Sequence, residues 1–166
     1  KPVEDYKKIE AGLDAKQKRL LERTYRDYVT SGALLDETGK AEVKRINQAL
    51  AQDYTEFSRR VLADEETAIL LDSEADLVGL SDSFKASLAE EAKARGAAGK
   101  WAIKNTRSSV QPFLMYSTNR ALREKVYKAF VNRGDNGDAN DTNPVIADIL
   151  KLRQERAKLL GFKNHA

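Results

Sequence analysis

Apolar positions recur along most of this chain at steps of three and four, the spacing that lines one face of an α-helix. The first stretch predicts a helix from about Val3 to Thr30, with Tyr6, Ile9, Leu13, Leu20, Leu21, Tyr25 and Tyr28 forming one buried stripe. Gly12 weakens its early part and marks a place for a break, and Ser31-Gly32 supplies a stop. Capping candidates between Asp36 and Gly39 precede the cleanest pattern: Val43, Ile46, Leu50, Tyr54, Phe57 and Val61, with Lys44, Arg45, Glu56 and Arg59 between them. The short connection predicts an antiparallel hairpin of these two helices.

The pattern then changes. Thr67 to Leu71, with Ile69, Leu70 and Leu71, is too short for a helix and reads as extended. A turn at Asp76-Leu77-Val78-Gly79-Leu80 leads to Ser81 as an N-cap and a helix carrying Phe84 and Leu88, ending at Gly96. Lys100 to Asn105 reads as a second extended piece, with Trp101 and Ile103 facing one side. Pro112 is expected in or near the first turn of the next helix, with Ser108 and Gln111 as its capping box. Leu122, Val126, Ala129 and Phe130 mark a further helix that stops near Gly134.

Residues 134–142 are the one strongly loop-like segment, read as a solvated, mobile connection. Asn143 then caps and Pro144 opens the last helix, in which Ile146, Ile149, Leu150, Arg153, Ala157 and Leu160 share a face up to Gly161. With no internal repeat or low-complexity tract, the expectation is an all-α fold of about six helices in antiparallel hairpins, with one or two short extended segments, as a single helical domain over residues 1–166.

Composition narrows the function. The chain has no cysteine, which removes disulfides, thiolate zinc sites and cysteine nucleophiles together and suits a reducing compartment. Lys and Arg number 29 against 26 Asp and Glu, and the signs are interspersed, so no basic stretch of the kind that binds nucleic acid stands out. No apolar run approaches the length that spans a bilayer, and no signal-peptide pattern opens the chain. Because the first residue is Lys1, the expectation is a processed product or an excised piece, with any targeting segment upstream.

A catalytic centre is hard to assemble. The single histidine, His165, cannot supply the paired imidazoles of a His-Glu-x-x-His zinc site, and one residue from the chain end it is a poor triad base. An EF-hand wants acidic or amide ligands at its first, third and fifth positions, glycine at the sixth and glutamate at the twelfth. Counted from Asp135, the third and fifth are Gly137 and Ala139; counted from Asn136, the sixth is Asp141 and the twelfth Ala147. Both frames fail. Gly96-Ala97-Ala98-Gly99-Lys100 lacks phosphate-loop spacing, and Glu90-Glu91 reads as a solvated helix face. Arg120 and Arg123 could hold an anionic group, but a structural salt bridge, for instance to Glu124, is the simpler expectation. Tyr25, Tyr28, Tyr54, Tyr116 and Tyr127 read first as core or interface rings.

Three stretches carry a resemblance. Asp76-Leu77-Val78-Gly79-Leu80-Ser81 is similar to the "DLAGLP" turn of the thimet-oligopeptidase-type zinc peptidases. Phe113-Leu114-Met115-Tyr116-Ser117, then Asn119-Arg120-Ala121-Leu122-Arg123-Glu124 and Tyr127-Lys128-Ala129-Phe130, resembles their "FLxYSxNRxLREKxYKA" segment. Asn143 to Ala166 resembles their "LRxxxAxLLGFxNYA" helix, through Ile149-Leu150-Lys151-Leu152-Arg153 and Ala157-Lys158-Leu159-Leu160-Gly161-Phe162. Order and spacing match over most of the chain, nearest the peptidyl-dipeptidase branch.

The resemblance implies the N-terminal helical part of a two-lobed zinc metallopeptidase, a hydrolase that releases dipeptides from peptide C-termini. In that family the zinc motif comes later in the chain, so zinc is implied for the parent and not for this segment. His165 stands where the family often has tyrosine and is not a zinc ligand. The implied role is a substrate-channel wall, itself inactive, with Tyr116, Arg120 and Arg123 as channel-facing candidates. The implied partners are the remaining catalytic part of the parent chain and short peptides, with neither nucleic acid nor membrane. A cytoplasmic location is expected, or a periplasmic one if an upstream signal was removed. An excised domain should also expose an apolar patch above about 400 Å² where its other half would lie. The competing reading is a non-enzymatic helical domain that binds a partner protein through the same stripes.

Overall fold

A computed structural model describes residue 9 and residues 12–165. Among these residues six α-helices and one two-stranded sheet follow in order: α1 (Ala15–Thr30), α2 (Glu37–Glu65), β1 (Ala68–Leu71), a 3-10 turn (Glu74–Leu77), α3 (Asp82–Ala94), β2 (Trp101–Lys104), α4 (Arg107–Tyr116), α5 (Arg120–Val131) and α6 (Asn143–Leu159). The class is mainly helical, as the spacing of apolar positions requires. The two stretches too short for helices pair with each other antiparallel, Ile69 opposite Ile103 and Leu71 opposite Trp101. The chain divides into two compact units, Lys1–Tyr54 with Ala147–Ala166, and Thr55–Ile146.

In the first unit, α1 starts after Gly12, where Asp14 builds a capping box. Its Oδ1 accepts from the amides of Lys16 and Gln17 at 2.8 and 2.9 Å, and Gln17 Oε1 accepts from the Asp14 amide at 3.0 Å. Of the expected helix upstream of Gly12 only Ile9 is among the described residues, and it is exposed; Tyr6 lies outside them. The expected buried stripe is not buried: α1 has no buried residue, and Leu20 and Tyr28 are 66% and 63% exposed. A stripe is buried only where another surface covers it, and α1 is no more than half-covered, at Leu21, Glu22, Tyr25 and Val29.

Asp36 begins α2 by accepting the Gly39 amide at 2.7 Å, and Val43, Ile46 and Leu50 are buried as their spacing predicts. Within the same unit α2 and α6 are cross-linked by polar groups. Arg45 pairs with Glu155 at 3.4 Å, Arg156 donates to Asn47 at 3.1 Å, and Arg153 donates to the Tyr54 hydroxyl at 2.9 Å while lying over its ring. The buried line of α6 is Val145, Ile149 and Ala157, so the predicted face is rotated: Ile146 and Leu150 lie about 100° from their buried neighbours and are exposed. Helix α6 also begins one residue earlier than expected, since Ile146 donates to the Thr142 carbonyl; Pro144 sits in the first turn, where its missing N–H matters least.

The second unit has its own core, Leu71, Leu77, Leu80, Leu88, Ile103, Val110, Phe113 and Val126. Helices α3 and α4 pack on β2, and α4 packs on α5. Ser81 caps α3 as expected, accepting the Phe84 amide at 3.3 Å. The start of α4 corrects the reading above. The chain turns directly out of β2, Val110 donating to the Thr106 carbonyl at 2.9 Å, so the helix begins a turn before Pro112 and leaves the proline in mid-helix. Gln111 therefore accepts from Arg107 at 3.2 Å and forms no capping box with Ser108.

In the segment 134–142, residues 135–139 are exposed as expected of a solvated connection, but the loop is also hydrogen-bonded at its base. Asp64, 4% exposed at the end of α2, accepts the Gly134 amide at 2.7 Å and the Asn136 side-chain amide at 2.9 Å on one carboxylate oxygen. Thr142 donates both its amide and its hydroxyl to the Gly134 carbonyl, at 2.7 and 2.8 Å, closing the loop at its base. Arg60 donates to the Asp141 carbonyl.

On the α2 surface, hydrogen bonds from Arg59 and then Arg60 hold the Glu56 carboxyl down at about 2. A lowered folded pKa means that any stability this cluster adds is complete above the ordinary value of 4.5 and is lost as pH falls towards 2. The group is solvent-exposed, so its share of the stability is screened and small. A carboxyl-carbon NMR titration should place its midpoint near 2, and Arg59→Ala should move it up by more than Arg60→Ala.

Candidate functional site

The second unit brings two of the motif stretches into contact, although they stand 40 residues apart in sequence. The Asp76–Ser81 turn is fastened from below by Leu77 and Leu80, both buried in the core on either side of Val78 and Gly79. Gly79 has φ +93°, and a Cβ there would overlap the Tyr116 carbonyl oxygen. Only glycine lets the two backbones lie this close. On the other stretch, Phe113 is fully buried and Ser117 is 3% exposed, fixing the end of α4.

Hydrogen bonds close the junction. Thr118 donates its amide to the Val78 carbonyl at 3.1 Å and its hydroxyl to the same oxygen at 3.3 Å. Asn119 donates to the Asp76 carboxylate at 3.5 Å while its Oδ1 accepts the Leu122 amide at 3.1 Å, capping α5. One asparagine thus starts the helix that carries both arginines and ties it to the turn.

The junction presents an apolar surface with cations beside it. Val78, Met115 and Tyr116 are 54%, 70% and 58% exposed. Arg120, Tyr127 and Val131 follow on the outer face of α5, spaced seven and four residues apart. Of the candidates from sequence, Tyr116 ends α4 and is exposed, Arg120 opens α5 and is exposed, and Arg123 is half-buried. The salt bridge expected for the arginines is not formed. Among the described residues neither is ion-paired: Glu124, one turn after Arg120, pairs with Lys128 at 2.7 Å, and Arg123 adjoins Glu124 in sequence, a spacing that points the two side chains apart. Sequence reasoning missed Val78, Met115 and Thr118; the first two follow from the turn only once its neighbour is known, and Thr118 acts through its amide and hydroxyl on a carbonyl 40 residues away.

The other candidates are ordinary surface. Glu91 pairs with Arg95 at 2.7 Å and Glu90 with Lys93 at 3.7 Å. His165 is exposed in a groove lined by Thr30, Arg156, Ala157, Leu160, Phe162 and Asn164, which offers no carboxylate. Among the described residues no three of His, Cys, Asp and Glu converge as metal ligands. The donor set here does not fit a catalytic zinc, and no hydrolytic step is assigned to these residues.

Comparison with known proteins bears on the same stretches. The model of peptidase family M3 matches residues 113–166. The chain is 35% identical over 156 residues to the dipeptidyl carboxypeptidase of Escherichia coli, covering 93% of this chain and 23% of that one. It is 35% identical over 161 residues to the probable cytosolic oligopeptidase A of Arabidopsis thaliana, again 93% against 23%. To the organellar oligopeptidase A of the same plant it is 34% identical over 163 residues, 94% against 20%. The chain thus spans between a fifth and a quarter of the length of the curated relatives it matches. Matches over nearly its whole length, together with the three motif stretches in register, show that the chain is similar to one segment of the thimet-oligopeptidase-type peptidases of family M3.

Proposed function

We propose that this chain serves as a substrate-channel helical domain of a zinc-dependent peptidyl-dipeptidase, a single helical part of a larger two-lobed enzyme. The observation that carries this reading is the junction. Two peptidase-like stretches are pinned to each other, and they present Val78, Met115, Tyr116 and Arg120 outward rather than catalytic groups. Such a surface can bind and orient an extended peptide through apolar contact and a cation, and its rigid backing can exclude bulkier chains. The zinc and the group that activates water belong, on this proposal, to the rest of the enzyme, and this domain acts on substrates by shape.

The same reading gives partners and place. The remaining catalytic part of the enzyme is the partner proposed for the apolar side chains that α1 leaves exposed, Leu20 and Tyr28. Short peptides are the ligands. A cytoplasmic location is proposed alongside the relative named cytosolic. Among the described residues no helix is long and apolar enough to cross a membrane.

The chain alone should hydrolyse no short peptide and should keep no zinc through dialysis. Peptide cleavage with stoichiometric zinc retained would overturn the proposal. Capture of a partner unrelated to any peptidase through α1 would favour the non-enzymatic interaction domain instead.

A further inference from the structure

The loop between α5 and α6 carries the one Asn-Gly pair in the sequence, Asn136-Gly137. Such a pair is chemically weak, because a glycine amide nitrogen with no side chain beside it can reach the asparagine Cγ. Nothing crowds that approach here: Gly137 is exposed at φ +66°, and a Cβ on it would meet no atom within 4 Å. Both groups are instead engaged in hydrogen bonds to other residues. The Asn136 side-chain amide is committed to Asp64 at 2.9 Å, and the Gly137 amide to the Asp141 carboxylate at 3.1 Å. Reaction requires both to be released together.

We propose that Asn136-Gly137 is a self-modification site held shut by Asp64 and Asp141, whose reaction unlocks the loop permanently. The Gly137 nitrogen bonds to Asn136 Cγ, the Cγ–Nδ2 bond breaks, and ammonia leaves carrying the proton that Gly137 gives up. Water then opens the five-membered imide at either carbonyl, leaving aspartate at position 136 or isoaspartate, in which the main chain runs through the former side chain. No oxidant or cofactor is consumed.

Either product replaces a donor to Asp64 with a second carboxylate. Asp64 is nearly buried, and Asp135, Asp138 and Asp141 already put the same sign of charge in this loop. A carboxylate facing another in a poorly solvated site is repelled, and the lost amide hydrogen bond cannot re-form. The loop therefore opens and stays open.

The test is to age the intact chain at mildly alkaline pH beside a synthetic peptide of residues 134–142, following isoaspartate at position 136 by peptide mapping. Asn136 should react before any other asparagine, yet at least about tenfold more slowly than in the peptide, because the loop must first open. Asp141→Ala, which leaves the buried Asp64 in place, should bring the rate several-fold closer to that of the peptide with helicity unchanged. In a second arm, Asn136→Asp should make the loop several-fold more sensitive to protease. Equal rates in chain and peptide, earlier reaction elsewhere, or no effect of Asp141→Ala would overturn the site; unchanged protease sensitivity would overturn the unlocking.

Discussion

Phe113→Ala should lower the stability of the second unit by about 3–5 kcal/mol, measured as a drop in the urea midpoint. The side chain is fully buried among Leu71, Leu77, Leu80 and Val126, so truncation removes its transfer from water and leaves a cavity that neighbours on separate elements cannot all fill. Domains of this size have only about 5–15 kcal/mol in total, so the loss is a large share. Because Phe113 fixes the end of α4, Tyr116 should lose its defined position as well. Two residues along, Met115 is 70% exposed, and Met115→Ala should change stability by no more than about 0.5 kcal/mol.

Gly79→Ala should be nearly as damaging although it adds a single methyl group. Two effects combine there. A left-handed φ of +93° strains any residue with a Cβ, by about 1–3 kcal/mol. The new methyl would also overlap the Tyr116 carbonyl oxygen, and the overlap is relieved only by parting the bond between Thr118 and Val78. Gly96→Ala separates the two effects: Gly96 has φ +77°, but a Cβ there meets nothing within 4 Å. It should show the strain alone. Thermal unfolding of both variants checks this, with Gly79→Ala the lower in Tm, and amide NMR shifts at Tyr116 to Asn119 should move in that variant only.

The periodicity of Val43, Ile46 and Leu50 was enough to place α2, and Ser81 was enough to start α3, because capping and one-face burial are local properties of sequence. The errors are non-local. Leu20 and Tyr28 have helical spacing but no covering surface, and spacing alone does not report coverage. The 134–142 loop reads as solvent-loving because its residues are polar, yet Asp64, some seventy residues earlier, gives its amides a buried acceptor. The candidate site was half legible. The motif stretches stand out by resemblance, and Tyr116 and Arg120 within them are exposed. That the two stretches touch depends on Leu77, Leu80 and Phe113 sharing one core, which pairing across 40 residues conceals. That Arg120 has no ion pair among the described residues was concealed by a competitor, Lys128, which like Arg120 stands four residues from Glu124.

The most direct test of the channel-wall reading is steady-state kinetics on an intact M3 peptidase chain carrying this segment, comparing Tyr116→Ala and Arg120→Ala with the unaltered enzyme over peptides of increasing length. The account predicts a higher KM, by about threefold to tenfold, or a relaxed length limit, with kcat nearly unchanged, as expected when binding rather than chemistry is altered. Unchanged KM and length profile in both variants, with the fold intact, would contradict it.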